Sequence, residues 1–159
     1  MSQTKLTIKD FIKGVDNSYQ SFVKEIDDYL IENNCKATFE EKKSGLLASY
    51  KYNNKALINF LFRKRGLLVR IYGENVNQNE ELLTNLPDTM VEEIRSSSIC
   101  KRIVHNTCSP KCMGYDFKIK GEHFQKCRYN CFEFLVTGES SSYIKELIKS
   151  ELNQRIGHK

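Results

Sequence analysis

No stretch of this 159-residue chain approaches the eighteen or so consecutive apolar residues of a membrane-spanning helix. Its first residues, Met1-Ser-Gln-Thr-Lys-Leu6, have no apolar core of the kind a secretory signal carries. Internal repeats, low-complexity linkers and abrupt changes of composition are missing, and so is any recognisable catalytic signature. These absences lead to an expectation of one domain, residues 1–159, working in the cytoplasm without a membrane partner. The missing signature tilts the reading away from an enzyme. In a reducing compartment, cysteines are expected as thiols, metal ligands or redox groups rather than as a disulfide framework. A chain of this length buries roughly 70% of its unfolded surface and needs no staple merely to fold.

Hydrophobic periodicity supplies the fold class. Thr7 and Asp10 resemble a capping box with Asp in place of Glu. Ile8, Phe11, Ile12 and Val15 follow at helical spacing, and Phe22, Val23, Ile26, Tyr29 and Leu30 continue it up to Asn33-Asn34. The pattern predicts one helix, or two joined near Gly14, with Glu25, Asp27 and Asp28 on the solvated side. The period then becomes two. Strands are predicted over 35–39, 46–52, 56–62 and 67–72, with Asn53-Asn54 in a two-residue hairpin turn. Apolar residues on both sides of the third strand predict that it is central and covered on each face.

Residues 74–81 are polar and read as a loop. Pro87 suits an early helical position, and Met90, Val91 and Ile94 predict a short helix ending near Ser96–Ser98, with Glu92 and Glu93 solvated. The segments 115–120 and 131–136 each alternate apolar and polar residues, and the stretch between them reads as a return loop. Ser140 to Ser142 offer N-caps for a last helix bearing Ile144, Leu147, Ile148 and Leu152. The expected class is α+β: an N-terminal helix, a four-stranded antiparallel meander, a short helix, a cysteine-bearing β-hairpin and a C-terminal helix.

Against this ordinary background, residues 100–131 stand out. Five of the six cysteines (Cys100, Cys108, Cys112, Cys127 and Cys131) lie within these 32 positions. The same stretch holds seven Lys or Arg against two acids, a surplus equal to the net charge of the whole chain, +5. Cys108-x3-Cys112 and Cys127-x3-Cys131 are two close pairs, the arrangement in which zinc commonly finds four soft tetrahedral ligands. A spacing of two is commoner. Cys108, Cys112 and Cys127 form the strongest part of the set, with Cys131 or Cys100 as the fourth ligand, and His105 and His123 also lie within reach in sequence. Ordinary buried thiols and a redox pair are the alternatives, with Cys35 read as a core thiol.

Lys101, Arg102, Lys111, Lys126 and Arg128, interleaved with Tyr129, suit an anionic partner, possibly nucleic acid. Arg63-Lys64-Arg65 reads as a solvated turn. The strings Cys-x3-Cys-x-Gly-Tyr-x-Phe (108–117) and Lys-Cys-Arg-Tyr (126–129) resemble a pattern of small uncharacterised bacterial proteins, and this resemblance implies no activity. The leading expectation is therefore a non-enzymatic cytosolic protein with a structural zinc site and a basic surface. A thiol-based redox sensor or enzyme is the main rival. A small-molecule-binding effector domain, with its ligand between sheet and helices, is the third reading.

Overall fold

A computed structural model of the protein describes residues 5–75, 78–100, 114–127 and 130–157. The architecture is α+β, as the periodicities predict. Helix α1 (Ile8–Lys13) begins where Asp10 Oδ2 accepts the Thr7 backbone N–H at 2.8 Å, so a shorter carboxylate performs the reaching-back role of a capping-box Glu. It stops at Gly14, and α2 (Asn17–Glu32) restarts behind Asp16, whose side chain accepts the N–H of Ser18. The N-terminal apolar pattern is thus two helices.

Strands β1 (Lys36–Lys42), β2 (Gly45–Tyr52), β3 (Lys55–Arg63) and β4 (Gly66–Ile71) form the expected antiparallel meander. Asn53 and Asn54 both take positive φ, 50° and 66°, which a type I′ turn demands. The other two turns end on glycines, Gly45 at φ +129° and Gly66 at +130°. At Gly45 a Cβ would also lie 2.8 Å from the Phe62 ring, so no other residue fits without displacing it. Leu57 to Leu61 of β3 are all buried, consistent with a central strand.

The sheet has a fifth strand, formed by residues for which the alternation predicts the second arm of the cysteine-bearing hairpin. β7 (Glu133–Leu135) pairs antiparallel with β4, giving the order β1-β2-β3-β4-β7. Everything between Tyr72 and Phe132 is therefore an excursion between two neighbouring strands. It contains α3 (Glu80–Thr84), α4 (Asp88–Ser96) and a separate hairpin of β5 (Tyr115–Ile119) and β6 (Glu122–Lys126). The expected return loop is thus largely the second strand of that hairpin, and residues 131–136 belong to the main sheet. The apolar alternation of 133–135 fits a strand in either sheet, so only the tertiary pairing decides. Helix α3 begins inside the expected loop, capped by the Asn79 side chain on Leu82 N–H.

The core lies on one face of the five-stranded sheet. Phe60 at its centre meets Phe11 of α1 at 5.8 Å, Phe22 of α2 at 6.5 Å and Tyr50 of β2 at 5.8 Å between ring centroids. The final helix α5 (Ser140–Gly157) adds Ile144, Leu147, Ile148 and Leu152 to the same core. Tyr115, Phe117 and Phe124 of the hairpin join it through Phe132. Each such side chain stabilises the fold by roughly 1.5–3 kcal/mol on full burial.

Candidate functional site

The end of β6 is held on both flanks. On one side β5 pairs with it, Tyr115 opposite Lys126. On the other, Ile99 forms a bridge with Lys126, the Cys100 N–H donates to Gln125 O at 2.9 Å, and the Cys127 N–H donates to Ser98 O at 2.8 Å. Just beyond β6 the Cys127 carbonyl accepts the N–H of Cys131 at 3.0 Å, a contact that holds the two cysteines of the second pair close together. Asn130 is tied to Ser98, accepting its N–H at 3.3 Å and donating to its hydroxyl at 3.0 Å.

Of the cysteines in the candidate set, Cys100 and Cys131 are buried and Cys127 is half-buried, all three as free thiols. Burial pushes the Cys131 thiol well above its ordinary range, against smaller opposing effects of the Lys126 charge and a Ser97 hydrogen bond. That direction is the opposite of what activates a redox thiolate. Cys35, before β1, is buried too, and burial pushes its thiol up to about 11, in keeping with a core role. Among the described residues, no three His, Cys, Asp or Glu side chains gather into a metal-binding group. Cys108 and Cys112 lie outside the described residues, as do Lys101, Arg102, His105, Lys111, Arg128 and Tyr129. His123 sits on the exposed face of the hairpin, 2.5 Å from Asp116 Oδ1.

Lys126 has a different task from the one its neighbours in sequence suggest. It is 9% exposed, and its ammonium donates to the Arg95 and Ser97 carbonyls at 2.8 and 3.0 Å. These are C-terminal carbonyls of α4, where a cation satisfies both the orphan acceptors and the negative end of the helix dipole. Its expected place in an anion-binding set gives way to this internal cap.

Beside Asn130 lies a polar cleft of about 490 Å³, lined among others by Ser97, Ser98, Asn130, Glu93 and Glu133. Glu93, expected in solvent, accepts the Leu135 N–H at 3.0 Å and faces Arg65 at 3.6 Å. Burial raises its carboxyl, the Leu135 hydrogen bond and Arg65 oppose this, and the Glu133 charge adds to it. Glu133 in turn pairs with Arg70 at 3.0 Å. No local signal distinguishes Glu93 from Glu92, because its partner lies forty-two residues further on.

No family model, curated protein or solved structure matches the chain.

Proposed function

We propose that this chain is a non-catalytic binding protein whose cysteine region closes around a zinc ion and presents a basic segment to an anionic partner, nucleic acid being the class whose chemistry fits. One observation supports the reading above the others. Cys100 and Tyr115, which bracket the segment bearing Cys108 and Cys112, lie on opposite flanks of the last residues of β6, directly before Cys127. Two interstrand spacings amount to about 10 Å, so Cys100 and Tyr115 are close to each other and to Cys127.

The donor chemistry suits zinc: two thiols joined by a backbone hydrogen bond, with a third cysteine on the segment that bridges to β6. The described residues alone do not complete a ligand set, so Cys108 and Cys112 are required, with Cys127 and either Cys131 or Cys100. A tetrathiolate centre carries net charge −2 with zinc, which nearby cations offset. Lys101, Arg102, Lys111 and Arg128 make up the proposed anion-facing group, without Lys126. No helix among the described residues is long and apolar enough to cross a membrane.

Metal content is the decisive measurement. Protein purified without chelators or a metal-affinity tag should carry about one zinc per chain, and Cys112→Ser should lose it. A structural zinc can contribute on the order of 10 kcal/mol of binding free energy, so the variant should also loosen the 98–131 region. Metal well below one equivalent, with Cys108 and Cys112 freely titratable in the native protein, overturns the zinc reading. For the partner, Lys101→Ala/Arg102→Ala should weaken oligonucleotide binding and flatten its salt dependence by roughly one unit per lost phosphate contact. An equal loss in Lys9→Ala/Lys13→Ala, on the exposed side of α1, overturns the nucleic-acid part.

A further inference from the structure

The meander brings two cation-bearing turns, distant in sequence, to one end of the sheet. The β1–β2 turn carries Lys42 and Lys43, and the β3–β4 turn carries Arg63, Lys64 and Arg65. Some of this charge is already engaged: Arg65 faces Glu93 at 3.6 Å, and Lys42 pairs with Glu40 at 3.1 Å. Among the described residues, Lys43 and Arg63 have no carboxylate partner and both are exposed.

Between these turns opens a cavity of about 340 Å³, lined by Leu47, Asn59, Leu61 and Arg70 as well as by Lys43 and Arg63. Leu47, Asn59, Leu61 and Arg70 belong to the sheet face turned away from α1 and α2, while Phe62, at the cavity's rim, stacks on Phe11 of α1. Register settles this: Phe60 and Val69 face the helices as one pair, so Asn59 and Arg70, the next pair along, point the other way. Leu61 and Leu68 are 4% and 2% exposed, yet stand apart from the continuous helix-facing core. The site is thus an apolar patch on the second face of the sheet, with cations at its mouth.

Arg70 marks the inner wall. Its Nη2 donates to Glu133 at 3.0 Å and its Nη1 to the Tyr72 hydroxyl at 3.4 Å, while Asn59 Nδ2 donates to the same hydroxyl at 2.9 Å. The Nε–H of Arg70 is buried and has no hydrogen-bond partner. A buried donor left unmet is costly, and an anionic oxygen is the acceptor that would best meet it.

We propose that this cavity binds a small phosphate monoester, with the phosphate held by Lys43, Arg63 and Arg70 and a compact apolar tail against Leu47 and Leu61. Glu133 and the Tyr72 hydroxyl engage the two terminal nitrogens of Arg70, so its Nε–H is the donor left for a ligand, with Lys43 and Arg63 lining the same cavity. Three cations at one cavity offer more positive charge than a monoanionic carboxylate meets, and a dianionic phosphate with three acceptor oxygens uses it more fully. The volume lies at the low end of ligand pockets, room for a tail of about one ring. The inference is independent of the zinc reading and of the cysteine region.

The test is an amide chemical-shift titration of the full chain with phenyl phosphate. Saturable shifts are expected within residues 43–47 and 59–63, and Lys43→Ala/Arg63→Ala should weaken the affinity by about tenfold or more. Both replaced side chains are exposed, and the spectrum itself reports that the fold persists. Benzyl alcohol should produce no saturable shift, inorganic phosphate should bind more weakly, and binding should fall between roughly 0.05 and 0.5 M salt. Shifts confined to other regions, or unchanged affinity in the double variant, overturn the site. Benzoate binding as tightly as phenyl phosphate overturns the choice of phosphate.

Discussion

Asp27 and Asp28 are adjacent acids on one helix, and they have opposite fates. Asp28 is exposed and pairs with Lys24 one turn back. Asp27 is 6% exposed and accepts a hydrogen bond from the buried Tyr50 hydroxyl at 2.7 Å. Placing both on the solvated side follows from charge alone, and it fails for Asp27 because its partner lies on β2, across the core. Burial, reinforced by the Asp27 carboxylate, holds the Tyr50 phenol far above its ordinary range, so it remains a donor throughout the working pH range. Tyr50→Phe removes that donor and leaves a buried carboxylate oxygen unmet. It should destabilise the protein by about 1–3 kcal/mol in urea unfolding. A loss within measurement error would mean that water reaches Asp27.

The three-residue strand β7 depends on an acid as well as on its pairing with β4. It is the last strand of the sheet, and Glu93 of α4 accepts the backbone N–H of Leu135, so a helix side chain closes part of an otherwise open edge. Burial raises the Glu93 carboxyl above its ordinary 4.5. The folded state therefore holds this proton more tightly than the unfolded chain does. The associated stability is fully present below pH 4.5 and is lost as pH rises through the folded-state value. Glu93→Gln keeps an acceptor for Leu135 and cannot titrate. The stability of the natural protein relative to this variant should accordingly fall with rising pH above about 4.5 and then level off. Urea denaturation at a series of pH values reads the difference directly, and a flat or rising difference would contradict the burial argument.

For the molecule as a whole, one buried ion pair ties the C-terminal helix to the far end of the sheet. Glu151 is fully buried and accepts the backbone N–H groups of Glu74 and Asn75 at 3.0 and 2.9 Å, and Arg155 Nε at 2.9 Å. Arg155 reaches on to the carbonyls of Ala56 and Tyr72. The loop leaving β4 and the start of β3 are thereby fastened to α5. Glu151→Ala strands a buried guanidinium and two backbone donors, and should cost about 3–5 kcal/mol. Asp28→Ala, which breaks an exposed pair of the same i,i+4 spacing, should cost under about 1 kcal/mol. Thermal unfolding of the two variants side by side decides the matter, and equal effects would show that burial is not what gives the pair its weight.

Local sequence determined the elements whose causes are local. The helix start at Thr7 and the Asn53-Asn54 turn depend on contacts within a few residues, so spacing suffices to find them, whereas spacing alone leaves the restart at Asp16 open between one helix and two. The central place of β3 follows from its unbroken apolar run, and the C-terminal helix from its apolar stripe. The strand order was not legible at its far edge, because three alternating residues pair equally well with a hairpin or with β4. The candidate site was legible as a concentration of cysteine and positive charge, but not the roles within it. Lys126 caps a helix, and His123 faces Asp116. The basic turn at Arg63, isolated in sequence, shares a cavity with Lys43. Charge and residue type are properties of the chain, whereas burial and partnership are set by strand register and by the excursion between β4 and β7. Those long-range pairings decide which charges meet solvent and which satisfy the backbone.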